Sequence, residues 1–163
     1  MEVPTGNIEN KHIEMWKVKR LIKTLDESRG NGTSMVTLVI PPKENIGNAM
    51  SLLGNEFSQA ANIKSKQTRD SVQSAITSTR EKLKLYKNTP TNGLILFCGI
   101  ILMDDNKSEK KVTLDIEPFR PCQAFMYKCE NRFHSSCLNY LLEDDERFGF
   151  IIVDGGGALF ATL

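Results

Sequence analysis

The sequence predicts an α/β fold, a mixed β-sheet flanked by helices, and three observations carry that prediction. An amphipathic stretch near the start gives way to the β-branched run Met35 to Ile40. After Pro90 the character changes from helical to extended, and one more helical stretch precedes two terminal strand-like runs. The length of 163 residues, with 40% hydrophobic and 25% charged, suits one ordinary globular domain, 1–163, and excludes disordered and collagen-like classes. No stretch approaches a membrane span, and the opening residues lack the apolar core of a signal peptide, so no membrane partner is expected.

Taken in order, His12 to Arg29 reads as an amphipathic helix with Ile13, Trp16, Leu21, Ile22 and Leu25 inward and Lys17, Lys19, Arg20 and Lys23 outward. Gly30-Asn31-Gly32 reads as its left-handed stop. Met35 to Ile40, closed by Pro41-Pro42, reads as a buried strand. Helices follow at Ile46 to Gln59 and at Ser65 to Lys87, a helical hairpin whose tip is Asn62-Ile63-Lys64-Ser65. Strands are expected at Leu94 to Met103, Lys111 to Ile116 and Gln123 to Cys129, with a polar turn at Asp104 to Lys110. A helix at His134 to Leu142 and strands at Phe148 to Val153 and Ala158 to Leu163 complete the pattern.

The near-zero net charge hides an asymmetry. Lys64 to Lys87 carries seven Lys/Arg against two Asp/Glu, whereas Asp104 to Asp154 carries eleven acids against seven bases. A basic helix is either a solvated face or a phosphate-contacting one; on the second reading Lys66 and Arg69 face RNA backbone.

Catalytic and metal signatures are weak. Cys129, His134 and Cys137 lie close in sequence but lack a fourth ligand, so the thiols read as free buried groups, and neither metal nor cofactor is expected. Asp154-Gly155-Gly156-Gly157 is followed by a strand where a phosphate loop needs a helix, and reads as a hairpin turn. Glu143 to Glu146 lacks the alternation of a calcium loop, and no nucleophile elbow occurs. The informative feature is the helix link: on one reading an exposed Ile63 stands beside Lys64 at a functional tip, on the other the link is a plain turn whose Ile63 tucks back, and Ser65 is placed to cap the next helix.

Asn62-Ile63-Lys64-Ser65 is similar to the NIKS motif of the class 1 eukaryotic translation termination factors. Tyr127, Cys129 and Phe133 match that family's YxCxxxF motif, and Gly32-Thr33-Ser34 its GTS loop. The chain resembles the N-terminal domain of such a factor through nearly its whole length. The resemblance implies stop-codon recognition in the ribosomal A site, with small-subunit ribosomal RNA as a neighbour. It also implies a class 2 release factor GTPase reached through domains beyond this one, and a cytoplasmic setting. Glu56, Asn62, Ile63, Lys64, Ser65, Tyr127 and Cys129 stand at positions the family uses for decoding. RNA triplets are read by hydrogen bonds to base edges, stacking and ribose contacts. In those terms Tyr127 can stack or donate, Glu56 can accept from exocyclic amines, and Lys64 can reach a base oxygen.

Hydrolysis of peptidyl-tRNA belongs, in the family, to a Gly-Gly-Gln loop of another domain, so no enzyme activity is expected of this chain. Two departures stand out. Ser58-Gln59-Ala60-Ala61 replaces the family's usual Gly-Thr-Ala-Ser, and Phe125-Met126 its usual Ser-Leu. Altered hydrogen bonding and bulk beside the codon-reading residues imply a narrowed stop-codon set. Two rivals remain: a ribosome-associated module of the related mRNA-surveillance type, whose members lack the NIKS and YxCxxxF motifs, and a small α/β hydrolase or nucleotide-binding enzyme, which would require a phosphate loop or triad that the sequence does not offer.

Overall fold

The computed structural model describes residues 6–102, 109–143 and 149–162. Strand β1 (Gly30–Ile40) is its centre. On one side β1 pairs antiparallel with β2 (Leu94–Leu102), which in turn pairs with β3 (Glu109–Ile116). On the other side it pairs antiparallel with β4 (Met126–Glu130), giving the order β3-β2-β1-β4. The expected sheet flanked by helices is thus present, with every described pair antiparallel.

Side-chain alternation sends the two faces of β1 and β2 into different cores. Val36, Leu38, Ile40, Leu94 and Leu96 pack against Ala49 and Leu53 of α2 (Ile46–Ala60) and Val72, Ala75 and Ile76 of α3 (Lys66–Leu83). Met35, Val39, Ile95 and Phe97 face Val18 and Leu25 of α1 (Gly6–Glu27) and Leu138 and Leu141 of a 3-10 helix, Ser135–Leu142. Cover on both faces explains why these strands read as unbroken apolar runs; each fully buried Leu or Ile contributes about 1.5–3 kcal/mol. The helix expected at His134 to Leu142 has the tighter 3-10 form, and α3 ends at Leu83 before Lys87.

Two expectations are corrected here. The buried stripe of α1 is Val18, Leu21, Ile22 and Leu25, while Ile13 and Trp16 are 51% and 60% exposed. Residues 18, 21, 22 and 25 follow helical spacing, and position 13 lies roughly 140° around the axis from position 18. The glycine run is not a helix stop, since α1 ends at Glu27 and Gly30 already belongs to β1, paired with Ile101. Between Gly30 and Met35 the register with β2 shifts, and Gly32 takes a left-handed φ of 79° within that irregularity.

Strands β5 (Gly149–Asp154) and β6 (Gly157–Thr162) form a separate two-stranded sheet. The side chain of Asp154 accepts from the amides of Gly156 and Gly157 at 2.7 and 2.9 Å, which closes the expected hairpin turn. The polar turn expected at Asp104 to Lys110 falls on residues outside the described ones up to position 108, as does the acidic run after Glu143. No helix among the described residues is long and apolar enough to cross a membrane.

Candidate functional site

Residues 61–65 link α2 to α3, and several contacts fix their path. Ser65 is the N-cap of α3, its Oγ accepting from the Thr68 amide at 3.3 Å and from the Thr68 hydroxyl at 3.1 Å. Arg69 donates through Nη1 to the Ile63 carbonyl at 3.2 Å. The amides of Asn62 and Ile63 donate back to Gln59 and Ala60 at 3.0 and 3.1 Å. The Ile63 side chain is half-buried against the α2–α3 core, as the plain-turn reading of the link expects. With that apolar side chain packed inward, Asn62, Lys64 and Ser65 are the exposed polar residues of the link, with Ala61 exposed beside them.

Strand β4 supplies the facing wall. Its register sets Cys129 opposite Val36 and Tyr127 opposite Leu38, which turns both toward the α2–α3 face. Met126, one position away, turns to the other face with the α1 core. Phe133 is buried there too, edge-on to Phe97 at 5.5 Å between ring centroids. The structure therefore separates Met126 and Phe133 from the other candidate residues, whereas Phe125 stays exposed just before β4.

Between these walls lies a cleft of about 230 Å³. Its polar lining is Thr33, Glu56, Gln59, Tyr127 and Cys129, with Ile63 at the link side. Ala60, Val72 and Ile76 also line it. Those three carry no chemical signal in the sequence, although helical spacing with Leu83 would have placed Val72 and Ile76 on the buried side of α3.

The cleft holds its polar groups in defined states. The Cys129 thiol donates to the Thr33 carbonyl at 3.0 Å, tying the Gly32-Thr33-Ser34 segment to β4. Burial pushes that thiol up to about 11, with the Glu56 and Glu130 carboxylates adding to the rise, so it remains a neutral donor at physiological pH. Burial likewise holds the Tyr127 phenol well above its ordinary value, with Cys129 and Glu56 reinforcing it. The Tyr127 hydroxyl is buried and meets no partner in full hydrogen-bonding geometry among the described residues; the Cys129 sulfur is near enough to interact with it but is already engaged with the Thr33 carbonyl. A neutral hydroxyl left in that state costs about 1–3 kcal/mol and is available to a ligand atom entering the cleft.

The remaining candidates sit at the margin. Ser34 is fully buried; its carbonyl would lie 2.8 Å from a Cβ added at Gly99, so backbone packs directly on backbone there. Lys66 is exposed, while Arg69, half-buried, has one arm of its guanidinium on the link. The basic surplus of α3 is also partly neutralised, since Lys82 pairs with Asp115 at 3.0 Å. Cys129 and Cys137 belong to different cores, so the near-metal grouping of the sequence is not assembled.

Residues 13–143 match the family model described as eRF1 domain 1. The chain is 63% identical over 155 residues to "Eukaryotic peptide chain release factor subunit 1" of Stylonychia lemnae, covering 95% of this chain and 35% of that protein. It is 53% identical over 163 residues to the protein of the same name from Podospora anserina, covering 100% and 37%. Among solved structures, an archaeal translation termination factor, aRF1, superposes with a TM-score of 0.70 at 32% identity, covering 91% of this chain and 41% of that one. The chain spans about a third of the length of the curated relatives it matches.

Proposed function

The chain belongs to the eRF1 domain 1 family as the N-terminal domain of a class 1 release factor, and we propose that it reads mRNA stop codons in the ribosomal A site, accepting a narrowed set of them. The observation that carries this reading is the convergence of Thr33, Glu56, Gln59, Ile63, Tyr127 and Cys129 on one cleft beside the exposed Asn62 and Lys64. Adenine offers an exocyclic amine where guanine offers a carbonyl oxygen. A Glu56 carboxylate accepts from the first and is repelled by the second. A Lys64 ammonium donates to the carbonyl oxygens of uracil, the base that opens each stop codon. Small-subunit ribosomal RNA borders the site in this reading, Lys66 meets its backbone, and the setting is cytoplasmic.

Narrowing rests on Gln59, whose amide lines the cleft, and on the exposed Phe125; Met126 faces away and takes no part. We assign no hydrolytic step to this chain, and contact with a class 2 GTPase falls to other domains. The test is peptide release from ribosomes programmed with UAA, UAG or UGA, with residues 1–163 joined to the middle and C-terminal parts of the Podospora anserina relative. Release on at least one codon is expected to fall tenfold or more below the best. Equal release on all three overturns the narrowing, and ribosome binding without release on any codon overturns the stop-codon reading.

A further inference from the structure

The outer face of α1 sets an exposed aromatic ring among basic side chains. Between His12 and Lys23 the helix carries Lys17, Lys19, Arg20 and Lys23 against the single carboxylate of Glu14. Trp16, the only tryptophan of the chain, is 60% exposed in the middle of them, with Ile13 at 51%. The Arg20 guanidinium stands over the Trp16 ring, 5.7 Å from its centroid. Lys17 pairs with Glu14 at 2.7 Å, and Lys23 lies 4.0 Å from Glu27. Beside Trp16 runs a shallow groove of about 270 Å³ lined by His12, Met15, Trp16 and Lys19.

Helix formation does not require this arrangement. Val18, Leu21, Ile22 and Leu25 already anchor α1 to the core, and Trp16 lies outside that stripe. An exposed indole flanked by ammonium and guanidinium groups combines the two elements of sequence-tolerant single-stranded RNA binding, a π-surface for a base and cations for the adjoining phosphates. An acidic peptide would satisfy the cations but leave the indole and the groove without a planar occupant.

We propose that the Trp16–Lys19–Arg20 face of α1 is a second RNA-binding surface that takes an unstacked nucleotide of single-stranded RNA. It lies on the opposite side of the sheet from the codon cleft, as the α1 and α2–α3 cores require. The biological identity of the RNA rests on the ribosomal reading above, but the binding chemistry does not. Such contacts anchor the domain without regard to codon.

The lone tryptophan makes the test direct. This chain is titrated with a 12-nucleotide oligouridylate at low salt while indole fluorescence is followed, with poly-L-glutamate as the acidic-peptide probe. Quenching by the RNA alone is expected. The double variant Lys19→Glu/Arg20→Glu should weaken binding at least tenfold and reduce the log–log salt slope by about 1.4, the value for two phosphates on a single strand. Trp16→Ala, followed by the anisotropy of labelled RNA, should weaken it roughly tenfold through lost stacking. No quenching by RNA, or equal quenching by poly-L-glutamate, overturns the proposal. In the fused factor the double variant should lower release by one common factor on every codon that is read. A codon-dependent release without RNA quenching sinks this surface alone, whereas quenching without release on any codon sinks the codon reading alone.

Discussion

Cys129 and Tyr127 share one strand face, yet folding treats their polar atoms oppositely. The thiol donates to Thr33, while the phenol hydroxyl is buried and, among the described residues, has only a looser approach to the Cys129 sulfur. Tyr127→Phe should therefore leave the urea midpoint unchanged or raised, while codon discrimination in the release assay falls; a clear loss of stability would show that the hydroxyl is bonded in the free protein. For Cys129 the folded value of about 11 stands above the ordinary 9.0. A group raised on folding stabilises fully below the unfolded value, and that stability is lost as pH rises through the folded one. Alkaline titration of stability should show a loss between pH 9 and pH 11 that is smaller in Cys129→Ala. At this scale the sequence exposed the chemistry of Glu56, Tyr127 and Cys129 but not their company. Met126 and Phe133 share the motif neighbourhood, but strand alternation turns Met126 away, and Phe133, beyond the end of β4, is drawn into the other core by Phe97.

Ser65 connects the motif to its element, because the same hydroxyl that belongs to the link caps α3. Ser65→Ala should cost about 1 kcal/mol in chemical denaturation, and Ser65→Asp, which retains a capping oxygen, should recover most of it. If Ser65→Asp restores stability but not release, the hydroxyl has a role at the codon beyond the cap. Element type was legible wherever one class of residue repeats, as in the unbroken apolar run of β2. It failed where two stripes compete, since Trp16 and Ile13 mimic core residues until the register of Val18 and Leu25 is known. The Gly30-Asn31-Gly32 run misled for a related reason. Glycine permits both a helix stop and a strand irregularity, and only the pairing of β1 with β2 decides between them.

At the scale of the whole molecule, both cores draw their buried and half-buried members, among the described residues, from positions no later than Leu142, and the described side chains of β5 and β6 are in neither. Ending the chain at Glu143 should leave the midpoint of thermal unfolding within about 2 °C of the full chain; a larger drop would show that β5 and β6 stabilise the sheet. That hairpin exposes Ile151, Val153 and Phe160 at 65%, 70% and 72%, so the shorter chain should also aggregate less in light scattering. The central place of β1 has a further consequence for a chain made from its N-terminus. Its partner in the cleft arrives late, since the Cys129–Thr33 bond closes across 96 positions. While β4 is still being synthesised, β1 presents one bare hydrogen-bonding edge, and contacts this distant in sequence form slowly. The cleft is therefore the last part of the sheet to assemble, and a nascent chain stalled before residue 126 holds its link, Glu56 and Gln59 but lacks the wall that Tyr127 and Cys129 supply.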